Sequence, residues 1–351
     1  MAATVAFTDM PARNFENSYT FAMSSPLLFA IASLIWGSTF WAITLQLGEV
    51  PPAVSVAYRF GIAAAILFAW CLLRGDRLRL PWRTQRWLML QGLLTFCLSY
   101  ICTYNAEQYL VSALVAVLFA LMVFWTPICS RILFGSAIGW RTWSAGAVAM
   151  GGVGLLFSRS IGAAWQAILT GGSGGSGQHV HFLLGLGLAL VATIASSAGS
   201  VIVAKVRAQC TNLLLTMAWS MLWGTALVLA WIALSGERLV LPAQPRYWMG
   251  LVYLSVFGSV IAFHAYFTLI HRIGSQKAVY VGVVTPVISV LLSIQLEHYR
   301  PGPLEWLGMV VCLSSVAWAV HAPAPRPILR PPARPTARLP PIPVTPALET
   351  P

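Results

Sequence analysis

Residues 27–47 read LLFAIASLIWGSTFWAITLQL, a run of 21 residues without a charged side chain. One helix needs about 20 mainly apolar residues to cross a bilayer core about 30 Å thick. The whole chain is 58% hydrophobic and 9% charged, whereas soluble domains carry about 25% charged residues. Too few polar side chains remain to coat a water-soluble globule of this size, so the composition indicates an integral membrane protein.

Similar apolar runs recur along the chain and predict ten transmembrane helices. Short connections such as GEVPPA (48–53) require neighbouring helices to be antiparallel. The predicted fold class is therefore an all-α integral membrane protein. The predicted spans are 27–47, 53–73, 87–108, 112–134, 140–158, 181–205, 213–235, 247–270, 276–296 and 303–321.

Arginine and lysine residues are distributed unevenly between the two sides of these helices. Sixteen lie in the two tails and in alternate loops, and four lie in the opposite loops. Because cytoplasmic loops are enriched in these residues, the bias predicts a multi-pass inner-membrane protein with both termini in the cytoplasm. These tail and loop residues also account for much of the formal charge of +12. Because they are spread as an orientation signal and not as a binding patch, the sequence predicts a lipid bilayer and no nucleic acid as a partner.

Three segments lie outside the predicted helical units. Residues 1–26 are interpreted as an N-terminal cytoplasmic tail that lacks a secretory signal, with Met23 as an alternative start. Residues 159–180 form a predicted connector containing GGSGGSG (171–177), either natural or inserted. The Pro- and Arg-rich residues 322–351 are predicted to form a disordered tail.

Self-comparison of the sequence indicates an internal repeat. A shift of 163 positions aligns several aromatic and hydroxyl residues, and Gly37 aligns with Gly199 at a shift of 162. The aligned pairs are Ser112 with Ser275, Trp143 with Trp306, Tyr100 with Phe263, and Tyr104 with Phe267. Two five-helix units, 27–158 and 181–321, are therefore predicted. With an odd number of spans, the second unit must be inverted, a design that transporters use for alternating access.

The first helix carries a candidate cavity-lining face. Trp36 and Thr39 share one face at helical spacing, and Gly37 permits close approach of another backbone. This pattern is typical of a substrate-binding helix with an aromatic gate at Trp36. Small-residue packing together with an interfacial tryptophan explains it equally simply.

Aromatic stripes in the third and eighth helices are the second candidate site. A buried tyrosine hydroxyl or imidazole in a bilayer needs a polar partner or a wet cavity. The stripes therefore favour binding of an apolar or aromatic substrate, with core packing as the alternative. The stripes comprise Phe96, Tyr100, Tyr104 and Glu107 in the third helix, and Tyr253, Phe257, His264, Phe267 and His271 in the eighth.

Other polar or helix-breaking residues complete the candidate site. Arg59 is placed either to clamp a substrate carboxylate or to snorkel to the outer interface. Ser200 lies on a sixth helix rich in hydroxyl groups and is a candidate to line the cavity. Pro127 and Pro286 lie within the fourth and ninth helices and are predicted hinges.

The sequence carries no pattern of a catalytic or cofactor-dependent protein. The six cysteines fall within or beside apolar runs without metal-ligand spacing, and no phosphate-binding loop or catalytic triad is recognisable. We therefore predict a non-enzyme without cofactor or metal. The nine acidic residues all lie in tails, loops or helix ends, so coupling to protons and downhill facilitated transport both stay open.

Several segments resemble EamA-type domains of the drug/metabolite transporter superfamily. They are LIWGSTFWAITLQLGEVPPAVSVAYRF (34–60), SALVAVLFALMVFWTP (112–127), GWRTWSAG (139–146) and VVTPVISVLLSIQLEHYRPGPLEWLG (283–308). The resemblance covers both units and is strongest to amino-acid exporters of the YddG type. It implies a ten-helix secondary transporter with a central cavity.

The function predicted from these observations is export of small metabolites, with aromatic or hydrophobic amino acids favoured. Efflux of nucleosides or drug-like amphiphiles, or a non-transporting sensor or assembly role, are the alternatives. The oligomeric state stays open, with a monomer sufficient. One physical expectation underlies the export prediction: the two units enclose a solvent-filled chamber at mid-membrane depth.

Overall fold

The computed structural model describes residues 23–135, 138–159, 161–162, 176–207, 210, 212–273, 278 and 281–320. The predicted C-terminal tail and most of the N-terminal tail and connector lie outside these residues. The described parts contain ten main helices and no β-strand. The helices are α1 Ser25–Thr44, α2 Pro52–Leu73, α3 Trp82–Ala106, α4 in two segments (Ser112–Phe119 and Met122–Phe134), α5 Trp140–Leu156, α6 Ser176–Arg207, α7 Leu213–Ser235, α8 in three consecutive segments (Pro245–Tyr253, Leu254–Ile261 and Ala262–Ile273), α9 Val281–Leu296 and α10 Pro303–Val320.

Each helix coincides with one predicted span, so the predicted all-α membrane class is confirmed. Among the described residues, six helices are long and apolar enough to cross a membrane, and the bent α4 pair makes a seventh. The apolar parts of α5, α9 and α10 are shorter. Two helices begin five residues before the predicted span: α3 begins at Trp82, and α6 begins at Ser176, so the last residues of the predicted connector are helical.

Local sequence signals set several helix ends. The Asn212 side chain accepts a hydrogen bond from the backbone N–H of Leu215 at 3.1 Å, which caps the start of α7. The same helix ends at Gly236, whose φ of 72° lies in the left-handed region that glycine adopts without steric cost. The Glu305 carboxylate accepts the Gly302 N–H at 2.8 Å at the start of α10.

The helix pairing follows the predicted two-unit repeat. In the first unit α1 packs against α8 and α9, and its counterpart α6 packs against α3 and α4. The second helices α2 and α7 pack against each other, as do the fifth helices α5 and α10. Each helix of the first unit therefore packs against the same partners as its counterpart in the second unit, with the units interchanged. Five helices in each unit is the odd number that the predicted inverted insertion of the second unit requires.

Both third helices contain a π-helical segment in their middle. The segments are Gly92–Ser99 in α3 and Leu254–Ile261 in α8. They begin 162 positions apart, the shift that relates Gly37 to Gly199. A π segment changes the rotation of the residues that follow it and is often found at functional sites. The two segments therefore mark equivalent points in the centre of the bundle.

Candidate functional site

The side chain of Arg59 lies at the centre of the described contacts between the two units. It projects from α2 and is 1% exposed. Its Nε donates a hydrogen bond to Ser259 Oγ on α8 at 3.0 Å, and its Nη1 donates to the Tyr104 hydroxyl on α3 at 3.4 Å. The alternative in which Arg59 snorkels to the outer interface is therefore wrong for this conformation.

Aromatic rings, rather than an acidic residue, contact the Arg59 guanidinium. Its carbon lies 4.7 Å from the centre of the Tyr100 ring and 5.2 Å from that of Phe60. Within the described ranges no carboxylate oxygen lies within 4.0 Å of it. Cation–π contacts offset part of the cost of burying a charge, but they do not neutralise it. The site therefore holds a buried positive charge without an ion-pair partner.

Hydrogen bonds extend from Arg59 to both units. The Tyr104 hydroxyl donates to Gln46 Oε1 just beyond the end of α1 at 2.8 Å. Ser259 Oγ donates to the backbone oxygen of Leu254 at 2.9 Å, five residues earlier in the π segment. This bond directs a free lone pair of Ser259 towards Arg59. The π segment of α8 thus positions a residue of the candidate site.

Several predicted aromatic residues belong to a connected ring cluster. Trp36 contacts Phe263 and Tyr266 at centroid distances of 5.1 and 4.8 Å. Phe263 in turn contacts Phe96 at 5.4 Å and the predicted site residue Phe267 at 5.6 Å. Trp36 lies in the middle of α1, and its Nε1 donates to the backbone oxygen of Gly258 at 3.3 Å. Its interpretation as an interfacial tryptophan is therefore wrong.

The ring cluster lies in the region in which the sequence predicts a solvent-filled chamber, and two of its rings, Trp36 and Tyr266, are only partly buried. The chamber itself stays a prediction. A described apolar cavity of about 300 Å³ lies elsewhere, between α4 and α5, with Phe124, Trp125 and Met150 in its lining.

Other predicted site residues are placed differently from the ring cluster. Thr39 is buried on α1 beside Gly258, and its hydroxyl donates to the Trp36 backbone oxygen at 2.8 Å. The Ser200 hydroxyl donates to Ser196 of its own helix at 2.9 Å, so this bond does not reach Arg59. His264 is half-buried on α8. A substrate-binding role for these residues stays a prediction.

The predicted single face of the eighth helix is wrong. Phe267 is buried, whereas Phe257 is 43% exposed and stacks on Tyr253. The cause is the π segment Leu254–Ile261, which contains Phe257 and ends before Phe267, and which breaks the 3.6-residue period on which the prediction rests. Phe263 enters the ring cluster instead.

The predicted hinge residues lie in helices of different shape. The two segments of α4 are inclined by 42° across Ala120–Leu121, and Pro127 lies in the second segment. The bend thus begins more than one turn before the proline. Pro286 lies buried inside α9, which is described as one continuous helix. Their function as hinges stays a prediction.

Two acidic side chains, Glu107 and Glu297, lie at helix ends, and Glu107 is more buried than the sequence indicates. Glu107 immediately follows α3 and is 6% exposed, and within the described part neither of its carboxylate oxygens has a hydrogen-bond partner. Glu297 follows α9 and accepts hydrogen bonds from the hydroxyls of Ser112 and Ser293. Only tertiary packing distinguishes these residues from ordinary helix-end acids.

Gly37 and the six cysteines are small residues within the packed helices. A Cβ on Gly37 would meet the Ile288 side chain at 2.6 Å, so the predicted close approach at Gly37 is confirmed. All six cysteines are free thiols, and five of them are buried. Across the described ranges no three His, Cys, Asp or Glu side chains come together as a metal site would require.

Comparison with known proteins places this architecture among membrane transporters. The model of the EamA-like transporter family matches residues 23–158 and 183–320. The chain is 28% identical over 296 residues to the uncharacterized inner membrane transporter YedA of Escherichia coli K12, covering 83% of this chain and 89% of YedA. It is 24% identical over 305 residues to the S-adenosylmethionine/S-adenosylhomocysteine transporter of Chlamydia muridarum, covering 85% and 92%.

A solved structure provides an independent comparison of the fold. A protein crystal structure aligns with this chain with a TM-score of 0.59 and 22% sequence identity. The alignment covers 84% of this chain and 96% of that chain. At this identity the likeness shows the fold alone.

Proposed function

The chain belongs to the EamA-like transporter family and is a multi-pass inner-membrane transporter of small molecules, and from this premise we propose that it exports amino acids. The substrates are those with aromatic or hydrophobic side chains. Movement follows alternating access, with both termini in the cytoplasm as the distribution of arginine and lysine favours.

The observation that carries this proposal is the buried Arg59 without a carboxylate partner. A buried, unpaired charge costs several kcal/mol, and a substrate carboxylate bound to the guanidinium would offset that cost. The fork of N–H donors on arginine suits a carboxylate, which accepts two parallel hydrogen bonds. The rings of Phe60 and Tyr100 beside it would contact the apolar part of the substrate.

The name of one relative supports a substrate that combines an amino-acid group with an aromatic group. The Chlamydia muridarum relative is named as a transporter of S-adenosylmethionine and S-adenosylhomocysteine. Both molecules contain an α-amino-acid group and an aromatic base. A site with a guanidinium next to a ring cluster suits either of these or a free aromatic amino acid.

The proposal is tested by counterflow in proteoliposomes. Purified protein is reconstituted into vesicles loaded with unlabelled L-phenylalanine, and entry of radiolabelled L-phenylalanine is followed. We expect protein-dependent accumulation that is suppressed by other aromatic amino acids and, more weakly, by nucleosides. Absence of flux for every amino acid, with flux of nucleosides or cationic amphiphiles, would establish the alternative efflux function. Absence of all flux would favour a non-transporting role.

Alternating access also predicts an effect of the α9 proline. Proline lacks the N–H that would otherwise bond to the Gly282 carbonyl, so Pro286 locally weakens α9 and favours bending there. The Pro286→Ala variant should lower the maximal flux about fivefold without changing the half-saturating concentration, because only the conformational step is affected. Initial rates over a range of L-phenylalanine concentrations measure both quantities.

The matched control is Pro303→Ala at the first position of α10, where proline is tolerated without loss of a hydrogen bond. Pro127→Ala tests the second predicted hinge in the same assay. Wild-type flux in both the Pro127 and the Pro286 variant would remove the hinge hypothesis.

A further inference from the structure

We propose that Glu107 binds the ammonium group of the substrate while Arg59 binds its carboxylate, so that the site selects zwitterionic α-amino acids. This inference rests on the proposed function and assigns a role to a residue that the transport proposal leaves unused. It also names the chemical feature that separates substrates from simple carboxylates and simple amines.

The position of Glu107 links it to the guanidinium site. It lies one helical turn after Tyr104, whose hydroxyl accepts a hydrogen bond from Arg59 Nη1. Glu107 is 6% exposed and Arg59 is 1% exposed, yet no Arg59 nitrogen lies within 4.0 Å of a Glu107 carboxylate oxygen. A buried acidic and a buried basic side chain therefore lie on either side of Tyr104 without forming an ion pair.

The electrostatic surroundings of Glu107 lack a contacting cation. The neighbouring acidic residue Glu297 differs from it, because the Glu297 carboxylate already accepts hydrogen bonds from Ser112 and Ser293. In the described part of the chain no lysine, arginine or histidine nitrogen lies within 4.0 Å of Glu107. An ammonium group would donate charge-assisted hydrogen bonds to its two unpartnered oxygens.

Two other ionisable side chains outside this pair, His181 and Glu49, already have contacts of their own. The exposed His181 on α6 stacks on the ring of Tyr109 at 5.2 Å. The Glu49 carboxylate accepts backbone N–H groups of Ala243 and Gln244 in the loop before α8. Glu107 and Arg59 are thus the pair that a molecule with adjacent positive and negative groups would satisfy.

Competition measurements on the wild-type protein provide the first test. In L-phenylalanine counterflow, unlabelled L-phenylalanine should compete about thirtyfold more effectively than 3-phenylpropionate, which lacks the ammonium group, or phenethylamine, which lacks the carboxylate. Equal competition by L-phenylalanine and 3-phenylpropionate would overturn the inference without any mutation, and it would leave amino-acid export intact.

The Glu107→Gln variant provides the second test. Its preference for L-phenylalanine over 3-phenylpropionate should fall to within about threefold, because the amide keeps the shape but loses the charge-assisted bonds. The matched control is Glu305→Gln, whose amide oxygen still accepts from Gly302 and Tyr299, and it should keep the wild-type preference.

An unchanged preference in Glu107→Gln, while the wild type transports L-phenylalanine, would overturn the inference. If the same variant also loses a pH dependence that wild-type flux shows, Glu107 is a proton-binding group instead. A wild type that carries no amino acid would instead contradict the proposed function itself.

Discussion

Replacing Arg59 with methionine should raise the half-saturating concentration of L-phenylalanine about a hundredfold, because truncating one partner of a buried charge pair costs about 2–5 kcal/mol. The protein should still fold. A buried charge replaced by an apolar side chain of similar volume is often neutral or stabilising, and the surrounding rings of Phe60 and Tyr100 favour a thioether. Flux against substrate concentration and thermal unfolding in detergent measure the two effects separately.

Two further variants make this result specific to the Arg59 guanidinium. Arg59→Lys keeps the positive charge but cannot bond to Ser259 and Tyr104 with the same planar geometry, so its affinity should lie between wild type and Arg59→Met. Arg79→Met removes an exposed charge of the loop before α3 and should leave flux unchanged. Wild-type affinity in Arg59→Met would contradict the assignment of Arg59 as the carboxylate-binding residue.

The helices were predictable because their signal is local. An apolar run such as 27–47 must form a helix in lipid, since every backbone polar group there needs an internal partner. The charge bias and the odd number of spans per unit likewise follow from the sequence. The predicted spans therefore coincide with the observed helices, including the two segments of α4.

The register of the site was not predictable, because it depends on the π segments. Extrapolating the 3.6-residue period through Leu254–Ile261 places Phe257 beside Phe267, whereas the structure leaves Phe257 exposed. The sequence contains no glycine or proline pattern specific to such a segment. The burial of Glu107 and Gln46 was missed for a related reason, since both lie at helix ends, where polar residues ordinarily face water.

Arg59 shows which part of the site the sequence predicts and which part only the tertiary structure determines. Its position near the start of α2 allowed both a substrate clamp and a snorkelling side chain, which differ only in the direction of the side chain. That direction depends on Ser259 and Tyr104, which lie 200 and 45 positions away along the chain. Only the tertiary arrangement of the two units decides between the alternatives.

The tightest backbone contact between the units lies away from the site and predicts a large effect on stability. A Cβ on Gly152 of α5 would lie 2.7 Å from the Cys312 nitrogen, and a Cβ on Gly308 of α10 would lie 2.5 Å from the Leu156 nitrogen. Because backbone atoms cannot move aside as flexible side chains do, Gly152→Ala and Gly308→Ala should each lower the free energy of unfolding by about 3 kcal/mol.

Neighbouring glycines of the same helix provide the control for this contact. A Cβ on Gly151 or Gly154 would meet no atom within 4 Å, so alanine there should stabilise α5 slightly through its higher helix propensity. Thermal unfolding of the detergent-purified variants compares the melting temperatures of Gly152→Ala and Gly308→Ala with those of Gly151→Ala and Gly154→Ala. Equal melting temperatures for Gly151→Ala and Gly152→Ala would show that α5 and α10 do not cross this closely. Since helices in lipid gain no hydrophobic driving force for association, loss of this contact should weaken the packing of α5 against α10. The Arg59 site should keep its geometry, because its residues lie on α2, α3 and α8.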